Sequence, residues 1–196
     1  MNTSLRQTAL NTLANEIIAA GVCSDLAAQA TQLVMGYGRA DADIVFIGEA
    51  PGKKEDEQGR PFVGASGKFL DEMLATVGMS RNDVYITNIV KYRPPNNRDP
   101  LTKEKVAFWP YLLRQLEIIQ PKLVITLGRH SMEYFLPDTK IGDIHGQPQT
   151  VTLNGNNVIV MPLFHPAAAL YNGGLRQTLI DDFAKVPEVV KRATTT

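Results

Sequence analysis

The chain has 196 residues, 20 basic and 20 acidic, and 44% of its residues are hydrophobic, so its formal net charge is zero and it can bury a sizeable core. A neutral chain has no overall field toward a polyanion, so any nucleic-acid contact must come from a local basic patch. The single cysteine, Cys23, excludes an internal disulfide framework and an all-cysteine metal site.

No apolar run is long enough to span a membrane, and the first residues lack an apolar signal core, so a soluble, cytoplasmic protein is expected. Residues 5–20 read as a helix, with Leu10, Leu13, Ile17 and Ile18 on one side and Gly21 as the stop. Ser24 is placed to cap a second helix running to residue 34. Ile44-Val45-Phe46-Ile47 is a continuous β-rich run, the pattern of a strand buried on both faces. Residues 65–77 carry a helical stripe of Phe69, Leu70, Met73, Leu74 and Val77, with Gly78 after it. A strand over 84–87 comes next, then a proline-rich loop. A long helix follows over 102–120, capped by Thr102 with Glu104 in its first turn. Residues 123–127 read as another buried strand, and 129–135 as a helix. Asn154-Gly155 between 150–153 and 157–161 is a strong hairpin signal. A terminal helix is expected over 175–191. This alternation predicts one domain over 1–196, with N-terminal helices over 1–35 and a catalytic α/β core over 36–192. Its mostly parallel sheet places ligands at the carboxyl ends of the strands.

Two glycine- and proline-bounded segments lie at such ends. The first is Gly48-Glu49-Ala50-Pro51-Gly52, followed by Glu55-Asp56 and Gly59-Arg60-Pro61-Phe62-Val63-Gly64; the second is His165-Pro166-Ala167-Ala168-Ala169-Leu170. A carboxylate at a strand-end turn is a better candidate for function than one in an ordinary acidic loop. Phe62 is either core filler or a platform for a flat ligand. Asn88 ends the strand from Val84; it either caps a turn or offers a donor and an acceptor to a pyrimidine edge. Lys91, Arg93, Arg98, Lys103 and Lys105 form a local basic loop suited to phosphate. Of the three histidines, His130 and His145 read as structural or exposed, while His165 sits at a strand end. No second histidine stands at ligand spacing from it, so no metal is expected. Gly64-Ala65-Ser66-Gly67-Lys68 imitates a phosphate loop, but Phe62 and Phe69 occupy positions that need glycine and Ser or Thr.

In combination, Gly48 to Gly52, Gly59 to Gly64, Asn88 to Pro95 with Asn97-Arg98-Asp99-Pro100, and His165-Pro166-Ala167 resemble the family 4 uracil-DNA glycosylases. The resemblance implies a three-layer αβα sandwich whose central, mostly parallel sheet has about four strands. It also implies a DNA-repair hydrolase that flips uracil out of DNA and cuts its N-glycosidic bond, leaving an abasic site. The same resemblance assigns the roles. Phe62 stacks on the base, Asn88 pairs with its edge, and Gly48 and Ala50 complete the substrate-binding set. His165 stabilises the oxygen that gains charge. Glu49, or else Asp56 or Glu55, orients the attacking water. Lys91, Arg93 and Arg98 hold phosphates, Leu170 fills the gap left by the base, and Arg176 stands in for an arginine the family places where Tyr171 lies. Uracil-containing DNA, single- or double-stranded, is the implied partner, met by a monomer with no membrane contact.

This chain departs from the family at the cofactor. Relatives bind a 4Fe–4S cluster through four cysteines whose positions fall near Gly21, Ser24, Tyr92 and Phe108 here. None is cysteine and Cys23 is out of register, so no cluster and no other cofactor is expected, with Tyr92 and Phe108 filling the space. Ala50 and Gly52 stand where family 1 enzymes carry aspartate and tyrosine, so water activation and thymine exclusion need another solution. The basic loop lacks the histidine with which a related class captures DNA covalently. The alternative is a catalytically weak or inactive uracil- or DNA-binding protein of the same fold.

Overall fold

The computed structural model describes residues 2–193, so the short threonine tail lies outside the described residues. In chain order the helices and strands are α1 (Thr3–Ala19), α2 (Ser24–Ala27), β1 (Tyr37–Gly38), β2 (Ile44–Gly48), α3 (Lys53–Gln58), α4 (Ala65–Thr76), β3 (Tyr85–Asn88), α5 (Thr102–Ile119), β4 (Leu123–Leu127), α6 (Arg129–Met132), α7 (Ile141–Ile144), β5 (Gln149–Leu153), β6 (Asn156–Leu163), α8 (Pro166–Tyr171), α9 (Gly173–Phe183) and α10 (Val186–Ala193). A short 3-10 turn, Pro95–Asn97, interrupts the basic loop. No helix among the described residues is long and apolar enough to cross a membrane.

The described residues form one six-stranded sheet in the order β1-β3-β2-β4-β6-β5. The four central strands are parallel, and β1 and β5 pair antiparallel at the edges. The α/β class is as expected, while the strand count of about four is corrected to six. The additions are the two-residue β1 and the hairpin partner β5, whose turn residues Asn154 and Gly155 both have positive φ. Helices cover both faces, giving three layers. Alternation along the strands sorts the core: Ile44 and Phe46 of β2 face one cluster with α4, α9 and α10, and Val45 and Ile47 face the other with α1 and α5. Phe46 stacks on Phe183 of α9 at 5.6 Å, and both are fully buried.

Four expected elements differ, the simplest being α6, which ends at Met132 rather than residue 135. The second helix stops at Ala27 rather than residue 34, because tertiary partners claim the backbone beyond it. Asp56 of α3 accepts hydrogen bonds from the Thr31 N–H and hydroxyl at 2.9 and 2.8 Å, and the Val34 N–H donates to the Lys91 carbonyl at 2.8 Å. The terminal helix breaks into α9 and α10. Pro187 has no N–H to give the Phe183 carbonyl, so the ladder breaks there and α10 starts afresh with the proline in its first turn. Finally, Thr102 is the first residue of α5 rather than its cap; the Glu104 carboxylate takes the Leu101 N–H at 2.7 Å.

Candidate active site

The carboxyl ends of β2, β3 and β6 open into a cavity of about 580 Å³. Glu49, Ala50, Glu55, Phe62, Asn88 and His165 all line it, together with Arg98, Asp99, Ala167 and Tyr171. Residues from four separate segments thus meet where a doubly covered parallel sheet holds its ligands.

His165 follows β6 and caps α8, its Nδ1 accepting the Ala167 N–H at 3.1 Å. An accepting Nδ1 leaves the ring proton on Nε2. Burial pushes the imidazole pKa down to about 4, so the ring is neutral at physiological pH and offers one N–H. Close approach of β4 seats it. Gly128 has φ +92°, and a Cβ there would lie 3.1 Å from the His165 Cβ.

Glu49 follows β2. Burial first, then the Asp99 carboxylate, push its carboxyl up to about 7. Its Oε1 is buried without a hydrogen-bond partner. His130 Nδ1 is 3.8 Å from that oxygen.

Phe62 has φ 53°, a left-handed conformation that costs a bulky residue free energy and must be imposed. Three groups impose it. Glu55 Oε1 accepts the Val63 and Gly64 N–H groups at 2.9 and 2.8 Å. Arg81, ion-paired to Asp71, donates to the carbonyls of Pro61, Phe62 and Gly67. Gly67 leaves room for the turn, since a Cβ there would lie 1.6 Å from the Phe62 carbonyl oxygen. The Phe62 ring is then held 5.6 Å from that of His165, centroid to centroid. Gly48 completes the wall: a Cβ there would meet Asn88 Oδ1 at 2.4 Å and the Phe62 ring at 2.7 Å.

Other candidates lie elsewhere. Asp56 is buried in its bonds to Thr31, and among the cavity-lining groups it has no place. Lys91 is corrected from phosphate contact to the interior. Its Nζ is fully buried and donates to Thr87 Oγ1, the Asn88 carbonyl and Gln115 Oε1 at 2.7, 2.6 and 2.6 Å. Burial holds its pKa well below the usual lysine value. It fixes the main chain of Asn88 from behind. Arg98 is on the cavity wall but gives both guanidinium ends to Glu104 at 2.9 and 2.6 Å. Arg93 donates to Asn97 at 2.7 Å. Leu170 is exposed on α8, beside the exposed Tyr171 at the mouth. Arg176 lies over the Phe69 ring at 4.2 Å and pairs with Glu72 at 2.6 Å.

His130, expected to be structural or exposed, lies beside Glu49, and Asp99 and Arg81 had no role of their own in the sequence reading. His130 follows β4 as Glu49 follows β2, so the strand-end rule already pointed to it. His145, read as an exposed loop residue, bonds Asp182 at 2.5 Å and lies tilted against the Phe164 ring at 4.7 Å.

A family model described as Uracil DNA glycosylase superfamily matches residues 35–186. The chain is 49% identical over 163 residues to the type-4 uracil-DNA glycosylase of Saccharolobus solfataricus, covering 80% of this chain and 76% of that protein. It is 48% identical over 167 residues to that of Sulfurisphaera tokodaii, covering 81% and 75%. It is 45% identical over 185 residues to that of Archaeoglobus fulgidus, covering 92% of each. The chain belongs to the uracil-DNA glycosylase superfamily, in its type-4 family.

The cluster implied by that family does not fit the residues present. Tyr92 and Phe108 pack edge to face at 6.0 Å in the apolar core between α5 and the sheet, with Cys23 against the same core. One thiol cannot replace the set of thiolates that an iron–sulfur cluster requires. Among the described residues, no group of three or more His, Cys, Asp or Glu is arranged to hold a metal.

Gly67→Ala tests how Phe62 is held. The added methyl collides with the Phe62 carbonyl, so Kd for free uracil should rise at least tenfold by titration calorimetry; an unchanged Kd would mean that the turn is not what places the ring.

Proposed function

We propose that the protein hydrolyses the N-glycosidic bond of uracil in DNA and leaves an abasic site. One observation carries this reading: a neutral imidazole, an unpartnered carboxylate, an aromatic ring and a carboxamide line one cavity.

The extruded base stacks on Phe62, and the Asn88 carboxamide meets its Watson–Crick edge with a donor and an acceptor. Gly48 lets Asn88 and Phe62 approach each other without a side chain between them. As the glycosidic bond stretches, the base gains negative charge and the sugar becomes an oxocarbenium-like cation. The His165 Nε2–H faces the developing oxyanion as a neutral donor, so it stabilises that charge without first losing or gaining a proton. The Glu49 carboxylate takes a proton from the water that adds to the sugar cation. A desolvated carboxylate whose pKa is about 7 is a stronger base than one in water. Glu55 and Asp56 anchor backbone instead, Glu55 at the Phe62 turn and Asp56 at Thr31. Lys91 acts through the Asn88 main chain, and Arg93 and Arg98, on the loop after β3, are the groups this reading assigns to phosphate. Leu170, exposed on α8 next to the cavity-lining Tyr171, is the residue this reading assigns to the space the base leaves, and Arg176 supports α9 against α4.

The acting species in this reading is a cytoplasmic monomer that needs no metal or soluble cofactor and meets uracil in single- or double-stranded DNA. Its single domain spans 1–196, with the catalytic core over 36–192. The missing cysteines favour one alternative, a binder of uracil-containing DNA that no longer cleaves.

The decisive assay uses oligonucleotides with one uracil, followed by alkali. Strand scission is expected from the wild type. Both His165→Ala and Glu49→Gln should lower the single-turnover rate by about a hundredfold or more. Glu49 works as the anion, so the wild-type rate should rise with pH through about 7 and fall below it. His165 stays neutral until about pH 4 and adds no limb above that. Tight binding without scission would establish the alternative. Separately, elemental analysis of the purified protein should find less than a tenth of an iron atom per chain, on the order of contamination for a protein without thiolate ligands; stoichiometric iron would refute the cofactor assignment.

A further inference from the structure

The open bonding position at Glu49 is matched by a proton on the neighbouring element. Gly128 ends β4 with positive φ and turns the chain into α6, which sets His130 beside Glu49. The Arg129 Nε donates to His130 Nε2 at 3.2 Å. A guanidinium cannot accept, so Nε2 is the acceptor and the ring proton resides on Nδ1. Nδ1 is the atom that faces Glu49 Oε1 at 3.8 Å, and that oxygen is buried and unpartnered. Hydrogen bonds of this kind close at about 2.7–3.2 Å, and catalytic ones are commonly long before substrate binds. The remaining charged groups around the pair are Asp99, 3.8 Å from His130 Nε2, with Arg129, and the Lys105–Glu133 pair at 2.5 Å.

We infer that His130 is a positioning residue that donates from Nδ1 to Glu49 Oε1 and so leaves Oε2 free, and aimed, for the attacking water. The inference rests on the reading of Glu49 as the group that activates water. Burial first, then the Lys105 and Arg129 charges, hold His130 below its usual pKa, so it serves as a neutral donor. A donated hydrogen bond favours the ionised carboxylate and opposes the burial that raises it. The same bond fixes one of two equivalent oxygens, a step that orientation in a near-attack geometry requires.

The test is single-turnover excision across pH 5–9 with His130→Ala, His130→Asn and His130→Gln, beside Glu49→Gln. An asparagine amide nitrogen sits near the imidazole Nδ1 position, whereas a glutamine amide nitrogen reaches toward Nε2. His130→Ala should lower the maximal rate roughly ten- to a hundredfold and leave the affinity for uracil-containing DNA unchanged. Its acid limb should move upward by about one pH unit. His130→Asn should recover most of the rate and the limb, and His130→Gln should not. A His130→Ala variant with wild-type rate and limb would overturn the inference. So would equal losses in the Asn and Gln variants with the limb unmoved, which mark a packing role. If His130→Ala fails to fold, the Asn and Gln pair decides alone, since both fill the site. Full activity in Glu49→Gln would instead remove the Glu49 reading, whereas an inactive Glu49→Gln beside an unaffected His130→Ala removes only the role of His130.

Discussion

Desolvation at the carboxyl ends of the central strands is the constraint on which the site depends. It acts on two groups in opposite senses, raising the Glu49 carboxyl to about 7 and lowering the His165 imidazole to about 4. The same cavity therefore yields a carboxylate with a raised proton affinity and an imidazole that stays uncharged. Both are states that bond heterolysis between a base and a sugar can use. Neither exists without the sheet, because only the converging strand ends bring these residues out of water together.

The aromatic wall depends on a second constraint, a backbone conformation that Phe62 would not adopt alone. Glu55, Arg81 and Gly67 share the work of holding it, from α3, the turn before β3 and α4. Acidic and basic side chains that resemble catalytic or DNA-binding groups in the sequence are here spent on main-chain atoms. Lys91 is the clearest case: three neutral acceptors surround its nitrogen inside the core, and one of them is the carbonyl of the residue proposed to read the base.

Much of this was legible in the sequence. Continuous apolar runs marked β2 and β4, Asn154-Gly155 marked the hairpin, and glycine–proline segments marked the strand ends where Glu49 and His165 lie. What escaped were features decided by partners distant in the chain. The second helix ended early because Asp56 and Lys91 claim its backbone, and β1 exists only by pairing with β3. Side-chain direction was equally hidden. Nothing in a local basic run tells a surface arginine such as Arg93 from the interior Lys91, and the pairing of Glu49 with His130 joins residues 81 positions apart. The shortage of thiolate ligands was legible because it needs only residue identity: Cys23 is the single cysteine of the chain.

The account as a whole rests on the protonation state of one ring. Nitrogen-15 NMR of the imidazole side chains, titrated from pH 8 to 4 and assigned with His165→Gln, reads that state directly. The account predicts that His165 stays neutral with its proton on Nε2 down to about pH 5, with free uracil bound or absent. An imidazolium at pH 7, or a ring protonated on Nδ1, would contradict it.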